Sequence, residues 1–232
     1  MLENKKYGTI DAAMDRWRER MLAQGFGNKL GVDLPGEREG LIPGGQYYNK
    51  NYNNRWNPFT VISIAIGQGE VSATPLQICN LAASIANRGF FFVPHVVKKI
   101  QDTTMDTMYT NRKYTSIHPI HYDPIVEGMR LAVTGGTCYT ANLPDVEVCG
   151  KTGTAQNKGA DHSIFMGFAP KDDPKVAISV YVENGGFGAT YAVPIGRLMI
   201  EKYLNKKISV GSSWHEDRIK NAILVRNAIS EN

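Results

Sequence analysis

The residues most able to do chemistry stand together in one short segment, Lys151-Thr152-Gly153-Thr154. In a β-strand, successive side chains point to opposite faces, so Lys151 and Gly153 would share one face and the two threonines the other. A glycine removes the side chain and lets another molecule lie against the backbone. The segment therefore predicts an edge strand that could hold an extended peptide or a carboxylate.

Two other interpretations of Gly150-Lys151-Thr152 are open at this point. A phosphate-binding loop needs a glycine, four residues and then Gly-Lys-Ser/Thr. Here Asp145 occupies the place of the first glycine, and its carboxylate would repel a phosphate. The plainer interpretation is a strand that ends with a lysine at the surface. The tripeptide alone does not exclude this plainer interpretation, so the choice between the interpretations depends on motifs elsewhere in the chain.

Composition indicates an ordinary soluble globular protein. Of the 232 residues, 42% are apolar and 21% are charged, and the net charge is +4. Because this charge is small and dispersed, we expect no nucleic-acid partner. No apolar run approaches the roughly 18 residues of a membrane-spanning helix, so no membrane span is expected in this chain. The polar opening from Met1 to Tyr7 does not suggest a signal peptide.

Neither the cysteines nor the histidines predict a metal or cofactor site. The three cysteines, Cys79, Cys138 and Cys149, have no metal-ligand spacing and do not form an even-numbered disulfide framework. Cys138 and Cys149 could pair across a turn, but two separately buried thiols are favoured. His118 and His121 are three residues apart with a proline between them, and no third ligand stands nearby.

The first part of the chain predicts helices and loops. Residues 25–58 are rich in glycine, asparagine and tyrosine and indicate a long irregular segment. Residues 59–66 are apolar and β-branched, and residues 101–121 indicate a surface hairpin or loop. Regular elements are expected at residues 9–25 (helix), 75–87 (helix, with Thr74 as its N-cap), 90–100 (one or two short strands) and 123–135 (helix).

The rest of the chain predicts a three-strand antiparallel meander with a helix packed across it. In the last strand Val176, Ile178, Val180 and Val182 alternate with smaller or polar residues, which is typical of a strand with one apolar face. The expected elements are strands near 146–157, 163–170 and 175–183 and a helix at 192–204. The capping-box spacing of Ser213 and Glu216 predicts a last helix that runs through Ile229.

Several motifs in fixed order give the chain a family resemblance. Lys-Thr-Gly is one of three active-site elements of serine β-lactamases and penicillin-binding proteins. The chain resembles, over about residues 7–205, the C-terminal part of the transpeptidase domain of class B penicillin-binding proteins of the elongation type, with the division type as the nearest rival. The segments that carry this resemblance are Gly31–Glu37, Gly40–Pro43, Gly67–Gly69, Ser72–Gln77, Lys151–Gln156, His162–Pro170 and Val182–Gly186.

The resemblance implies a fold and a layout. The fold class is α+β, the C-terminal half of a penicillin-binding and serine β-lactamase-like transpeptidase fold, with the antiparallel meander packed against helices. Residues 1–232 would form a partial transpeptidase domain. Within it the resemblance implies a mainly helical and loop region at 7–142, the strands and their packing helix at 143–205, and a helical tail at 206–232.

The resemblance also implies roles for residues of the Lys-Thr-Gly segment. Lys151 would join the hydrogen-bond network of the catalytic serine, and Thr154 would supply an oxyanion-hole N–H. Thr152, Gly153, Thr154 and Gln156 would bind the substrate, which is a peptidoglycan stem peptide that ends in D-Ala-D-Ala, or a β-lactam. No cofactor is implied. The family further implies partners among the elongation-machinery proteins and a site on the periplasmic side of the bacterial inner membrane.

The sequence departs from the family in its nucleophile. No serine is followed by a lysine in Ser-x-x-Lys spacing, and no Ser-x-Asn triplet precedes Lys151. Ser84 and Asn87 are one position too far apart. Since both motifs precede this region in the family, we expect a truncation that leaves the chain inactive by itself and without the membrane anchor of its parent.

A different class of function is open beside the truncated enzyme. The chain could be a non-catalytic module that binds peptidoglycan peptides or partner proteins through the same strand. In either case its sheet is expected to lack neighbours, and an exposed edge strand invites pairing with a second copy.

Overall fold

The chain divides into two compact units, one up to Tyr122 and the other from Asp123 onward. We describe residues 5–224 from a computed structural model of the protein. The first unit consists mainly of helices and loops. The second unit contains the three-stranded sheet and the Lys-Thr-Gly segment.

The first unit forms helices where capping and periodicity predict them. The elements of this unit are α1 (Ile10–Ala23), α2 (Gly45–Asn51), α3 (Pro75–Ala86), α4 (Thr107–Thr110), β1 (Phe90–Phe91) and β2 (Lys113–Tyr114). The hydroxyl of Thr9 caps α1 by accepting from the N–H of Ala12. Thr74 and Gln77 form a complete capping box at α3, whose first residue is Pro75. The predicted helix starts are therefore confirmed.

Other predictions for the first unit are only partly correct. Residues 62–66 form a 3-10 helix, and Phe59, Ile62 and Ile66 are exposed, although their composition is apolar and β-branched. Of the segment 90–100, only β1 is a strand, and it pairs antiparallel with β2. The expected surface loop at 101–121 contains α4 and β2, because a capping aspartate, Asp106, accepts from the N–H of Met108 and starts the short helix.

The second unit is built on an antiparallel sheet with strand order β3-β4-β5. The strands are β3 (Cys149–Ala155), β4 (His162–Ala169) and β5 (Val176–Val182), and the helices are α5 (Tyr122–Thr134), α6 (Ala192–Asn205) and α7 (Val210–Lys220). Each strand pairs with the next along the chain, so the predicted meander is confirmed. Since β4 lies in the middle, β3 and β5 are the two outer strands of this sheet.

The core of the second unit lies between one face of the sheet and helix α6. Phe165 at the centre of β4 is fully buried. A Cβ on either Gly150 or Gly196 would collide with its ring, so these glycines let β3 and α6 approach it. Val148, Val193 and Ile200 belong to the same buried cluster. Burial of this aromatic ring holds the middle of the sheet against α6.

An arginine on α6 links this core to the turn that leads into β3. The guanidinium of Arg197 donates hydrogen bonds to the carbonyl oxygens of Thr140, at 3.2 Å, and of Asn142. It also donates to the hydroxyl of Ser212 on α7, at 3.0 Å. Charged hydrogen bonds of this kind are among the stronger ones in proteins, so α6 positions the start of the Lys-Thr-Gly strand.

The prediction for the last helix is wrong in its bounds. α7 begins at Val210, with Ser209 before it, and it ends at Lys220. Ser213 is therefore inside the helix, where its hydroxyl donates to the carbonyl oxygen of Val210 at 2.8 Å instead of capping the first turn. The part of the prediction that covers residues 225–229 lies outside the described residues.

Candidate functional site

The register of the sheet confirms how the side chains of the Lys-Thr-Gly segment divide between its two faces. Thr152 lies opposite Phe165, on the face that packs against α6. Lys151 lies opposite Met166 on the other face. Because directly paired residues of antiparallel strands share a face, Thr154 is on the Phe165 side and Gly153 is on the Lys151 side. The strand therefore presents the ammonium and the two hydroxyls in different directions.

The outer edge of β3 carries no further strand among residues 5–224. An edge strand has backbone N–H and C=O groups that point away from the sheet and can pair with an extended peptide. Gly153 adds a position without a side chain on the face that carries Lys151. A Cβ there would meet only Ile164, at 3.3 Å. The backbone of this strand is therefore accessible along one side.

Thr152 is held by a residue that the sequence analysis did not identify. The hydroxyl oxygens of Thr137 and Thr152 are 2.8 Å apart, which is a normal distance for a hydrogen bond between hydroxyls. Thr137 precedes a 3-10 turn at Tyr139–Ala141 that leads toward β3. A hydroxyl has one proton and two acceptor sites. If Thr137 donates to Thr152, the proton of Thr152 is left to point at a ligand.

Thr154 is held from the opposite direction by the loop that follows β5. The N–H of Gly188 donates to the Thr154 hydroxyl at 3.4 Å. The buried hydroxyl of Ser163 fixes this loop, because it donates to the carbonyl oxygen of Phe187 at 2.9 Å and accepts from the N–H of Ala192 at 3.1 Å. A glycine at 188 is required since a Cβ there would lie 2.6 Å from the carbonyl oxygen of Gly153.

Lys151 is an exposed cation that is not neutralised within the described part of the chain. Its ammonium donates to the carbonyl oxygen of the next residue, Thr152, at 2.7 Å, and no carboxylate of residues 5–224 forms a salt bridge with it. A positive charge on this face can attract an anion without first breaking an ion pair. Gln156 follows the last residue of β3 and is also exposed.

The cysteines beside the segment are buried thiols. Cys138 is fully buried and carries a free thiol, so it is not joined to Cys149, which is also buried. Burial raises the pKa of the Cys138 thiol, although Thr137, Lys151 and Thr152 lie close enough to oppose that change. The thiol of Cys138 is therefore protonated at neutral pH, and it lies next to Thr152 in the interior of the protein.

The serine paired with Thr154 is not accessible, and no cluster of metal ligands forms among residues 5–224. Ser163 is paired with Thr154 across the sheet, but its hydroxyl is fully buried and occupied by the loop contacts. Among residues 5–224 no group of three potential metal ligands comes together. The helices in this part of the chain all lack the length and hydropathy of a membrane span. The sequence has one Ser-x-Asn triplet, Ser230-Glu231-Asn232, which lies outside the described residues.

Comparison with known proteins shows which protein family shares these features. A model of the penicillin-binding protein transpeptidase domain matches residues 8–201. The peptidoglycan D,D-transpeptidase MrdA of Acinetobacter baumannii is 34% identical over 206 aligned positions, which cover 77% of this chain and 30% of that protein. The MrdA protein of Haemophilus influenzae is 30% identical over 217 positions, with 84% and 33% covered. The chain thus spans about a third of the length of these relatives.

Solved structures show the same fold. Penicillin-binding protein 2 of Pseudomonas aeruginosa, crystallised with WCK 5153, superposes with a TM-score of 0.75 at 31% identity and covers 85% of this chain, which matches 44% of that one. Penicillin-binding protein 2 of Helicobacter pylori, solved in complex with MreC, gives a TM-score of 0.65 at 28% identity, with 84% and 37% covered. Both similarities confirm that this chain has the α+β transpeptidase fold and that it resembles elongation-type penicillin-binding proteins.

Proposed function

The chain belongs to the penicillin-binding protein transpeptidase family, and on that premise we propose that it supplies the Lys-Thr-Gly side of a serine-type D,D-transpeptidase site for peptidoglycan cross-linking. The observation that carries this proposal is the arrangement on β3. An unpaired edge, an exposed lysine and two oriented threonine hydroxyls lie within four consecutive residues. The plainer interpretation, a surface strand that ends in a lysine, does not explain why both threonine hydroxyls are held by hydrogen bonds.

Each residue of the segment has a role in this proposal. The hydroxyls of Thr152 and Thr154 bind the terminal carboxylate of a D-Ala-D-Ala stem peptide or of a β-lactam, and Lys151 adds positive charge near it. The backbone N–H of Thr154 donates to the oxyanion that forms during acyl transfer, and one such donor contributes roughly 3 kcal/mol. Gly153 lets the peptide backbone approach, and Gln156 contacts the substrate beyond the strand.

The chain by itself does not complete the reaction in this proposal. Acyl transfer by this route needs a serine oxygen that attacks the carbonyl carbon and a base that removes its proton. The sequence has no Ser-x-x-Lys, and the hydroxyl of Ser163 is buried and engaged. We therefore expect an incomplete site that needs a serine and lysine from elsewhere in a longer polypeptide before it forms an acyl-enzyme.

Labelling with a fluorescent penicillin tests this expectation. The chain is incubated with the reagent, separated on a denaturing gel and measured as an intact protein by mass spectrometry, beside an active penicillin-binding protein as the positive control. We expect a labelled band for the control and an unmodified mass for this chain. A stoichiometric adduct on this chain would show that it carries its own nucleophile and would overturn the proposal.

The open edge of β3 also supports a second candidate function, a module that binds peptides without reacting. Titration with a stem peptide that ends in D-Ala-D-Ala distinguishes the two. Saturable binding that is lost in Lys151→Ala and Thr154→Ala, but kept in the control Lys158→Ala, would favour the binding module. Absence of binding by the wild-type chain favours the incomplete catalytic site. Lys158 is a suitable control because it is exposed just beyond the strand.

We extend the proposal to the whole protein through its relatives. The relatives similar in sequence are named as peptidoglycan D,D-transpeptidases, and a structural relative, penicillin-binding protein 2 of Helicobacter pylori, was solved with MreC. On this basis the longer protein acts in cell-wall elongation, is a β-lactam target, works with partner proteins of the elongation machinery and operates on the periplasmic side of the inner membrane. Coexpression with a tagged MreC-type partner tests the association, and absence of copurification would count against it.

A further inference from the structure

Helix α7 is attached to α6 through a small cluster of buried polar and charged side chains. His215 of α7 is 4% exposed and Glu201 of α6 is 2% exposed. The guanidinium of Arg197 donates to the hydroxyl of Ser212, and a carboxylate oxygen of Glu201 accepts from the N–H of Ser209 at 3.1 Å. α7 is therefore held by charged and polar groups at a contact where helices usually bury an apolar stripe.

His215 is the member of this cluster whose charge changes closest to neutral pH. Its ring nitrogen Nδ1 is buried and has no hydrogen-bond partner among the described residues. The ring is also stacked on Trp214, with the two ring centres 3.8 Å apart. A neutral imidazole needs one donor and one acceptor site satisfied, whereas an imidazolium has a second N–H that would be buried without an acceptor.

The surroundings of His215 disfavour a positive charge on its ring. Burial is the largest influence and lowers the pKa of His215. Arg197 of α6 and Arg218 of α7 lower this pKa further, and the carboxylate of Glu201 on α6 opposes them without reversing the direction. The neighbouring acid on α7, Glu216, already forms a salt bridge within its own helix. The docked helix therefore favours the neutral imidazole.

We propose that the junction between α6 and α7 is a pH-sensitive latch, in which α7 stays docked while His215 is neutral and is released when His215 gains a proton. Because the released helix binds this proton more readily than the docked helix, docking is fully supported above about pH 6.5, the ordinary pKa of histidine, and weakens below it. Since one proton is coupled to the release, the ratio of released to docked α7 should rise by up to about tenfold per pH unit.

The buried acid of the cluster responds in a lower pH range. Burial by itself raises the pKa of Glu201, but hydrogen bonds from Ser209 and Ser212 and the charge of Arg197 lower it overall, below its ordinary value of about 4.5. The carboxylate therefore stays ionised while His215 titrates. Its own contribution to docking is present above that range and is lost only as the pH falls through its lowered pKa.

The latch reaches the loop that follows β5. Arg218 of α7 donates a hydrogen bond to the carbonyl oxygen of Thr190 in this loop. The same loop carries Gly188, whose N–H donates to the hydroxyl of Thr154. Release of α7 would thus remove one support of the loop that holds Thr154. The latch itself uses no residue of the Lys-Thr-Gly segment, so it is tested whether or not the transpeptidase proposal is correct.

Amide hydrogen exchange of the full chain, measured by mass spectrometry at about pH 7.5 and about pH 5, tests the proposal. Each measured rate is divided by the intrinsic rate at the same pH, and peptic fragments separate α7 from the central strand β4. In the wild-type chain we expect the protection of α7 to fall about tenfold at the lower pH, while the protection of β4 is unchanged.

Two substitutions at His215 should move the result in opposite directions. His215→Gln keeps a polar side chain that carries no charge, so α7 should stay protected at both pH values. His215→Lys adds a cation that is present at neutral pH and should leave α7 unprotected at both. His121→Gln is the matched control, because His121 is exposed and lies outside the cluster, and it should behave like the wild-type chain.

NMR titration of the histidine rings adds a measurement that needs no substitution in the cluster. His215 is expected to titrate at a lower pH than the exposed His121, and the opposite order would overturn the proposal. Protection of α7 that is independent of pH in the wild-type chain would also overturn it. So would a pH dependence that persists in His215→Gln, a docked α7 in His215→Lys, or a loss of protection in β4 together with α7.

Discussion

The two outer strands of the same sheet have the same length and opposite chemistry. β3 is a polar strand with a lysine, two threonines and two glycines, whereas β5 is an uninterrupted apolar strand with one charge beyond each end. Around β3, Thr137 and the loop at Gly188 hold the hydroxyls in place. The comparison shows that the residues of an outer strand determine what it can bind. A polar, glycine-containing strand suits a ligand, whereas a regular apolar strand suits pairing with another strand.

Both edges depend on one buried residue between them. Phe165 on β4 is paired with Thr152 on β3 and with Val180 on β5, and its ring packs against Gly150 and Gly196. A change at this position should therefore disturb the two edges together. A change beside only one edge should leave the other intact, and this contrast gives two predictions.

The largest effect is expected for Phe165→Ala. Loss of a fully buried phenylalanine leaves a cavity and typically lowers the free energy of unfolding by about 3–5 kcal/mol. Urea denaturation of the full chain, followed by circular dichroism, measures the change. Phe187→Ala is a matched control, since Phe187 is 73% exposed and its loss should change stability by less than about 0.5 kcal/mol. Equal effects of the two changes would contradict the assigned core.

A smaller and more local effect is expected for Thr137→Ala. Loss of the hydrogen bond to Thr152 should lower the free energy of unfolding by about 1 kcal/mol. Thr137→Ser keeps the hydroxyl and should retain wild-type stability. A Thr137→Ser variant that lost as much stability as Thr137→Ala would contradict the assigned hydrogen bond.

The sequence was sufficient to predict the sheet because its signals are local. Alternation of apolar residues in β5 and the proline-bearing turn before it identify the strand and its start. The face that each residue of the Lys-Thr-Gly segment occupies follows from the period of two, and the register confirms it. Thr74, Pro75 and Gln77 likewise specify the start of α3 within four residues. The roles of Lys151, Thr152, Gly153, Thr154 and Gln156 remain predictions from the family resemblance.

The features that sequence reasoning missed depend on tertiary contacts. Thr137 is fifteen residues from Thr152, and nothing in its neighbours indicates that the two hydroxyls meet. The capping box assigned to Ser213 and Glu216 was wrong because the helix extends further toward the N-terminus, to Val210, where α7 packs against α6. The apolar residues 59–66 likewise have strand-like composition, but they join neither of the sheets formed by residues 5–224, and a 3-10 helix forms over 62–66.

Amide hydrogen exchange followed by NMR tests most directly whether β3 presents an open edge. The structure predicts that the amides of residues 149–155 that face β4 are protected, while the outward amides of the same strand exchange quickly. The amides of β4, which is paired on both sides, should be protected along the whole strand. Uniform protection along residues 149–155 would contradict an open edge on β3 and with it the proposed ligand site.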